Sequence, residues 1–208
     1  MSSKPALKSE DLAIRFVNTA AWRLRDEGEE RLGSPEALLT WLRQNEVISA
    51  GESRRLSSAW KARPQAAAAA YDSALRLRET IYALFLSVIH QRPPAAAIAA
   101  HFSEFVGRPS ALRLHWHEGR PCWRADELPD TADDLLRPIA IAAAALMTGP
   151  RADRLKQCED DRGCGWLFVD DSRLRNRRWC SMGDCGNVAK ARRHRARAAG
   201  RESGTSGR

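Results

Sequence analysis

Four cysteines near the end of the chain have the residue type and spacing of a metal site. Cys158 and Cys164 form one pair with five residues between them, and Cys180 and Cys185 form a second pair with four; 15 residues separate the pairs. Clustered thiols in a reducing compartment bind metal more often than they form disulfides. Four thiolates complete a tetrahedron around zinc and leave no position for a substrate. The spacing therefore favours one structural zinc ion.

Two histidines and the fifth cysteine leave other metal-binding arrangements open. His194 lies nine residues after Cys185 and could replace one cysteine as a ligand. His115 and His117 alternate on a predicted strand, and together with Cys122 they could form a second metal site. Four unmetallated thiols or two disulfides are the remaining interpretation of the cluster. The four-cysteine zinc site is preferred over all of these.

Basic residues concentrate in the same part of the chain. The 208 residues include 34 Lys and Arg against 26 Asp and Glu, a formal net charge of +8. Residues 1–150 contribute 19 basic and 18 acidic side chains (+1), whereas residues 151–208 contribute 15 and 8 (+7). Between Arg173 and Arg201 there are ten basic residues and one acid, Asp184. This density predicts a polyanionic partner, with nucleic acid as the leading candidate.

Two basic segments are the candidates for contact with nucleic acid. One precedes Cys180, and the other follows Cys185 as a predicted helix of good helix formers. Lysines and arginines would contact phosphates, and an arginine or Asn187 could contact base edges. A solvated helix or a flexible basic tail without a partner is the alternative. The candidate DNA-binding residues are Arg173, Arg175, Arg177, Arg178, Asn187, Lys190, Arg192, Arg193, Arg195 and Arg197.

The elements that position these residues belong to a mainly helical chain. A period-two pattern from Leu112 to Trp116, followed by a turn at 118–121, predicts a small β-hairpin. Gly149-Pro150 ends the last long helix where the charge rises and the cysteines begin. Apolar spacings of three and four residues predict helices over 11–25, 35–45, 52–62, 64–91, 93–105 and 132–147.

The resulting fold class is mainly α, with three regions. A helical N-terminal domain with a small β-hairpin spans residues 1–150, and a small four-cysteine zinc finger ending in a basic helix spans 151–200. Residues 201–208 are predicted to be a disordered tail. The finger contains too little apolar material to fold without its metal.

Several function classes are excluded or disfavoured by composition and motifs. The chain is 43% hydrophobic and 29% charged, and no apolar run approaches the roughly 18 to 20 residues of a membrane helix. Its polar start does not resemble a secretory signal, so the cytoplasm is expected. No Ser-His-Asp set, phosphate loop or paired-carboxylate motif is recognisable, which disfavours an enzyme.

If the C-terminal segment binds nucleic acid, the helical domain is expected to have a different function. The two expected functions are sensing of a small-molecule effector and homo-oligomerisation. Four polar residues among apolar neighbours, Asn18, Thr19, Arg78 and Glu79, could line an anion pocket. The alternative is that they satisfy buried backbone groups or each other.

Short motifs in both regions resemble known families. Residues 164–170 (CGWLFVD), 177–182 (RRWCSM), 185–187 (CGN) and 189–192 (AKAR) resemble the CGNR zinc finger. Asn18-Thr19 and Leu77-Arg78-Glu79 are similar to the ABATE domain that precedes this finger. Val188 stands where the family has the arginine of its name, and the first cysteine pair is one residue wider than the family pattern.

The resemblance implies a stress-induced bacterial transcription regulator that binds DNA through the finger. Two rival functions stay open: an RNA-binding or protein-docking zinc module, and a small-molecule-binding domain with an incidental basic tail. Phosphate attraction alone does not distinguish DNA from RNA.

Overall fold

The computed structural model describes residues 11–107, 132–192 and 195, and the backbone alone of 112–117 and 120–125. The strands form three separate two-stranded antiparallel sheets, each made of consecutive strands. The helices are α1 Asp11–Val17, α2 Pro35–Gln44, α3 Ala50–Ala62, α4 Pro64–His90, α5 Ala96–Gly107 and α6 Ala132–Thr148. The strands are β1 Ala20–Ala21, β2 Glu29–Glu30, β3 Leu112–His117, β4 Arg120–Ala125, β5 Leu155–Gln157 and β6 Leu167–Val169.

Local signals in the sequence account for several helix ends. The Ser34 side chain accepts a hydrogen bond from the Ala37 amide and caps α2. At α3, Ser49 and Glu52 form a reciprocal capping box, in which each side chain binds the other residue's backbone amide. Helix α4 ends at His90, and its C-cap residue Gln91 adopts the left-handed conformation with φ of 51°.

Helix α4 is the centre of the packing and contacts α1, α2, α3, α5 and α6. Its Leu77, Ile81 and Phe85 are fully buried because they recur at spacings of four residues on one face. The hydrophobic core also includes Leu155 from β5 and Leu167 from β6. The sheet after the helical domain therefore completes the same core.

The first predicted helix, over 11–25, is wrong in its second half. Helix α1 ends at Val17, and Ala20–Ala21 pairs as a strand with Glu29–Glu30. The Asn18 side chain binds the backbone of β6, which is distant in sequence. The chain then turns at Trp22, whose left-handed φ of 55° is incompatible with a continuing α-helix. These contacts override the helical spacing of the apolar residues.

The fifth predicted helix, over 93–105, begins at Ala96 and not at Pro93. A residue that precedes a proline is sterically disfavoured in the helical region, so Arg92 and Pro93 cannot open the helix. The other helices agree with the prediction to within two residues at each end, and the predicted hairpin forms between β3 and β4.

The C-terminal finger is built from short elements. A single 3₁₀ turn over Ala152–Arg154 leads into the β5–β6 hairpin, and a π-helical turn over Met182–Gly186 precedes an α-helix at 187–192. These elements confirm the mainly α fold class with a small finger that ends in a basic helix. In the part of the chain that the structure describes, no helix combines the length and apolarity needed to cross a membrane.

Candidate metal centre and nucleic-acid interface

The four clustered cysteines converge on one point. The Sγ atoms of Cys158, Cys164, Cys180 and Cys185 all lie within 4.8 Å of one another. The Cys164–Cys180 and Cys180–Cys185 Sγ distances are 3.7 and 3.8 Å. A zinc–sulfur bond of about 2.3 Å gives a tetrahedron with sulfur–sulfur edges of about 3.8 Å. The cluster therefore fits one structural zinc ion with a complete set of protein ligands.

The thiols also need a cation if all of them are to ionise. Hydrogen bonds from Cys164 and Cys180 lower the pKa of Cys158 to about 2, while the contact with Cys158 raises the pKa values of Cys164 and Cys180. Burial raises the pKa of Cys185. A divalent cation compensates the charge of four neighbouring thiolates and so allows all of them to ionise.

Two tight turns bring the cysteine pairs together. In the first, the Cys158 amide donates to the Trp166 carbonyl at 2.8 Å, which closes the loop that contains Cys164. In the second, the Gly186 amide donates to the Ser181 carbonyl at 2.9 Å around Cys185. The Cys180 amide points at the Cys158 Sγ atom at 3.4 Å, so backbone of one turn contacts the sulfur of the other.

Arginine side chains surround the cysteines. The Arg162 guanidinium donates to the buried carboxylate of Asp160 at 2.6 Å and lies 3.8 Å from the Cys185 Sγ atom. Arg177 donates to the carbonyls of Trp179 and Cys180. Because four thiolates around Zn²⁺ leave two excess negative charges, cations at these positions favour the loaded site and orient its ligands.

The finger is hydrogen-bonded to the helical domain through the segment after α1. The Asn18 side chain donates to the Leu167 carbonyl at 2.8 Å and accepts from the Leu167 amide at 3.0 Å. The amides of Arg23 and Leu24 donate to the carbonyls of Cys164 and Gly163, both at 3.2 Å. We call residues 18–25 the clasp, because they bind both β6 and the first cysteine turn.

Two glycines allow the clasp to approach the first cysteine turn. Gly163 and Gly165 adopt φ of +88° and +66°, which L side chains rarely adopt. A Cβ atom at Gly163 would lie 2.8 Å from Cγ of Arg25, and one at Gly165 would lie 2.9 Å from Cγ of Leu24. The two glycines therefore have two roles: they allow the backbone conformation of the turn, and they leave space for the clasp to pack against it.

Trp22 belongs to the metal centre although it lies far from the cysteines in sequence. Its side chain packs against the cysteine cluster with Trp166 and Trp179. The guanidinium of Arg25 stacks on the Trp22 ring at 3.6 Å, and that of Arg162 lies 5.4 Å from it. No local motif predicts this role, because Trp22 lies 136 residues before the first ligand, Cys158.

Three of the four residues proposed as an anion pocket, Thr19, Arg78 and Glu79, lie within one polar network, whereas the Asn18 side chain binds Leu167. Arg78 donates to both carboxylate oxygens of Glu30, at 2.7 and 2.6 Å, and to Thr19 and Glu79. Glu79 also accepts from Arg23 of the clasp at 2.6 Å. Hydrogen bonds from the two arginines outweigh the opposing effect of burial and lower the pKa of Glu79. An effector pocket at these residues stays a prediction; their described side-chain hydrogen bonds are with each other, with Phe16, Arg23 and Glu30 of the same domain, and, for Asn18, with Leu167 of the finger.

The predicted DNA-binding residues differ in where the structure places them. Arg173, Arg175 and Arg178 are exposed, whereas Arg177 is half-buried, with its guanidinium 4.7 Å from the Phe168 ring. The Asn187 side chain is exposed and donates to the Gly183 carbonyl at 3.1 Å. Lys190, Arg192 and Arg195 are exposed on the C-terminal helix.

Some predicted residues fall outside the described part of the chain. These are Arg193 and Arg197 of the predicted basic helix, the alternative ligand His194, and the predicted tail at 201–208. His115 pairs in register with Cys122 across the β3–β4 hairpin, but the side chains of these strands are not described. The second metal site at His115, His117 and Cys122 therefore stays a prediction.

Asp170 organises the loop between β6 and the second cysteine turn and was not identified from the sequence. This fully buried carboxylate accepts hydrogen bonds from Lys156 Nζ at 2.6 Å, from the Arg177 amide at 2.8 Å and from the Ser172 amide and hydroxyl. Burial alone would raise its pKa, but these donors hold the pKa well below its usual range. The Lys156 ammonium also donates to the Arg175 carbonyl at 2.5 Å.

Comparisons with known families cover both regions of the chain. The ABATE model, described as "Putative stress-induced transcription regulator", matches residues 10–150, and the CGNR zinc finger model matches residues 154–198. A comparison with curated proteins gives no match. The two family matches confirm the resemblance that the short motifs indicate.

Proposed function

Because the chain belongs to the ABATE family and carries a CGNR zinc finger, we propose that it is a bacterial transcription regulator that binds DNA through the finger. The zinc ion supplies no chemistry in this function and holds the ligand-bearing turns in place. On this proposal the chain is a cytoplasmic DNA-binding protein and not an enzyme. The helical domain acts as the sensor or oligomerisation domain.

The distribution of basic residues over the finger carries the proposal. The polar contacts between the finger and the helical domain involve finger residues between Arg151 and Leu167, at the β5–β6 hairpin and the first cysteine turn. The described exposed arginines and lysines lie later, at 173–178, 190–192 and 195. Docking therefore leaves the basic segments accessible to a polyanion.

Acidic residues of the finger pair with several of these arginines at the surface. Arg175 binds Asp153 at 2.6 Å, and Arg178 binds Glu159 at 2.5 Å. All four side chains are about half exposed, and ion pairs of this kind contribute at most about 1 kcal/mol. DNA phosphates can replace such carboxylates at little cost, so the pairs are compatible with DNA binding.

Binding of the full-length zinc-loaded protein to labelled duplex DNA at several salt concentrations tests the proposal. The logarithm of the affinity should fall steeply with the logarithm of salt concentration, and Lys190→Ala and Arg195→Ala should each reduce the slope by about one unit. Arg54→Ala, at an exposed position on α3, is the matched control and should leave the slope unchanged.

Selection of bound sequences from random duplex DNA then separates a specific regulator from a non-specific binder. Duplex and single-stranded RNA of equal length serve as competitors. Tighter binding to RNA would favour the RNA-binding module. Binding to neither nucleic acid would overturn the proposal and favour a protein-docking role.

A further inference from the structure

Leu174 is the most exposed large apolar side chain among the residues that the structure describes, with 71% of its surface accessible. Single exposed leucines are ordinary on protein surfaces. The position of Leu174 is not, because it lies in the middle of the loop at 171–177, which joins β6 to the second cysteine turn. We call these residues the Leu174 loop.

Hydrogen bonds with Asp170, Lys156 and the backbone hold the Leu174 loop in one conformation. Its first turn is closed by a bond from the Arg175 amide to the Ser172 carbonyl at 3.2 Å. The buried Asp170 carboxylate binds both ends of the loop, through Ser172 and the Arg177 amide, and Lys156 joins this carboxylate to the Arg175 carbonyl. Preorganisation of this kind reduces the conformational entropy that the loop would lose on binding.

One residue of the loop has an unusual backbone conformation. Arg175 has φ of 49°, in the left-handed region that residues other than glycine, asparagine and aspartate seldom adopt. The hydrogen bonds from its amide and to its carbonyl maintain this conformation. The surrounding structure thus specifies the direction of the chain immediately after Leu174.

The charge beside Leu174 indicates what the loop contacts. Arg173 and Arg175 flank it, and both are exposed. In the described part of the chain Arg173 has no ion-pair partner, and the partner of Arg175, Asp153, is itself 58% exposed. An apolar tip between two cations is complementary to DNA, whose outer phosphates attract the arginines and whose stacked bases can bury the leucine.

We propose that Leu174 is a wedge that inserts between base pairs from the minor groove and kinks the DNA. The inference rests on the proposed function and names how the finger engages a duplex. Leucine carries no hydrogen-bonding group in its side chain, so it cannot read base edges through hydrogen bonds. Apolar wedges at a partly unstacked step bend DNA by about 20–90° towards the major groove, and arginines favour narrow A·T-rich minor grooves.

Ring closure of a linear DNA fragment tests the wedge without knowledge of a preferred sequence. The probe is an A·T-rich duplex with cohesive ends, shorter than the persistence length of about 150 base pairs, and DNA ligase traps the closed form. The full-length zinc-loaded protein should raise the closure rate about tenfold or more, because a kink replaces smooth bending. Leu174→Ser should remove this increase, and Leu174→Met should retain most of it.

Three measurements keep the outcomes distinct. Ile141→Ser, at an exposed apolar position on α6, is the matched control and should promote closure as the parent does. Zinc content and the melting temperature should be unchanged in Leu174→Ser, because the side chain is largely in solvent. Affinity for the same fragment is measured in parallel, so that binding and bending are separated.

Binding without accelerated closure, or unchanged closure with Leu174→Ser, would overturn the wedge and leave DNA binding intact. Absence of any binding to the duplex would overturn the wedge and the proposed function together. Accelerated closure that is lost only with Leu174→Ser supports both.

Discussion

The helical domain and the finger are stabilised by different means. The helical domain buries large apolar side chains such as Phe16, Phe85 and Ile139 completely. The finger has one cluster of its own, made of the four cysteines and three tryptophans, one of which, Trp22, comes from the clasp. Of its other buried apolar residues, Leu155 and Leu167 belong to the core of the helical domain, and Phe168 packs beneath the Arg177 guanidinium.

This difference shows how a small module can present a basic surface. A metal centre and a borrowed core together supply the stability that an apolar core of its own would have supplied. The described residues at 173–178, 190–192 and 195 are then not required for packing, apart from Arg177, and can carry charge. The finger is accordingly an extension of the helical domain on one side and an exposed basic surface on the other.

Removal of the metal should unfold the finger and should also destabilise the core that the finger shares with the helical domain. Cys180→Ser should abolish zinc binding, which contributes on the order of 10 kcal/mol in zinc-finger peptides. The helical domain should lose stability as well, because Leu155 and Leu167 leave its core. Zinc analysis and thermal unfolding measure both effects, and Cys122→Ser is the control that keeps about one zinc ion per chain. Unchanged zinc content in Cys180→Ser would contradict the four-cysteine site.

Leu167→Ala tests the shared core directly. Leu167 is fully buried, so the substitution should lower the free energy of unfolding by about 2–5 kcal/mol. Leu174→Ala in the same finger should change it by less than about 0.5 kcal/mol. Chemical denaturation of the zinc-loaded variants measures both values. If Leu167→Ala destabilises only the finger, in a separate transition, then the two regions do not share a core.

Asp170→Asn tests the support of the exposed loop. The substitution removes a carboxylate that accepts from Lys156, and should cost about 1.5–3 kcal/mol at neutral pH. Because the folded-state pKa is lowered, this stabilisation is complete above the ordinary aspartate pKa of about 3.9 and is lost as the pH falls towards the lowered value. The difference from the parent should therefore shrink in acid. A difference that is constant from pH 7 to well below about 3.9 would contradict this account.

Asn18→Ala tests the clasp and should have the smallest effect. Its two hydrogen bonds to Leu167 should contribute about 1–3 kcal/mol together. Asn18→Asp keeps an acceptor for the Leu167 amide but loses the donor to the carbonyl, so it should not restore full stability. The release of zinc to a chelator should be faster in both variants than in the parent. Release at the parental rate would show that docking and the metal centre are independent.

Features encoded over short stretches of chain are predictable from the sequence. The spacing of four cysteines indicates the zinc site, caps and prolines mark α2, α3 and α4, and the uneven distribution of charge indicates the basic end. These signals are local because ligand spacing, capping and helical periodicity involve residues close in sequence. The zinc centre and the mainly α fold class follow from them.

Only the tertiary structure decides which distant residues meet. Asn18 binds Leu167 across 149 positions, and Trp22 packs on cysteines that belong to the other end of the chain. Arg175 and Arg177 look alike in sequence, yet one faces solvent and the other binds finger carbonyls. These outcomes depend on how the finger packs against the helices, and no pattern within a short window contains that information because both partners must first be brought together by the fold.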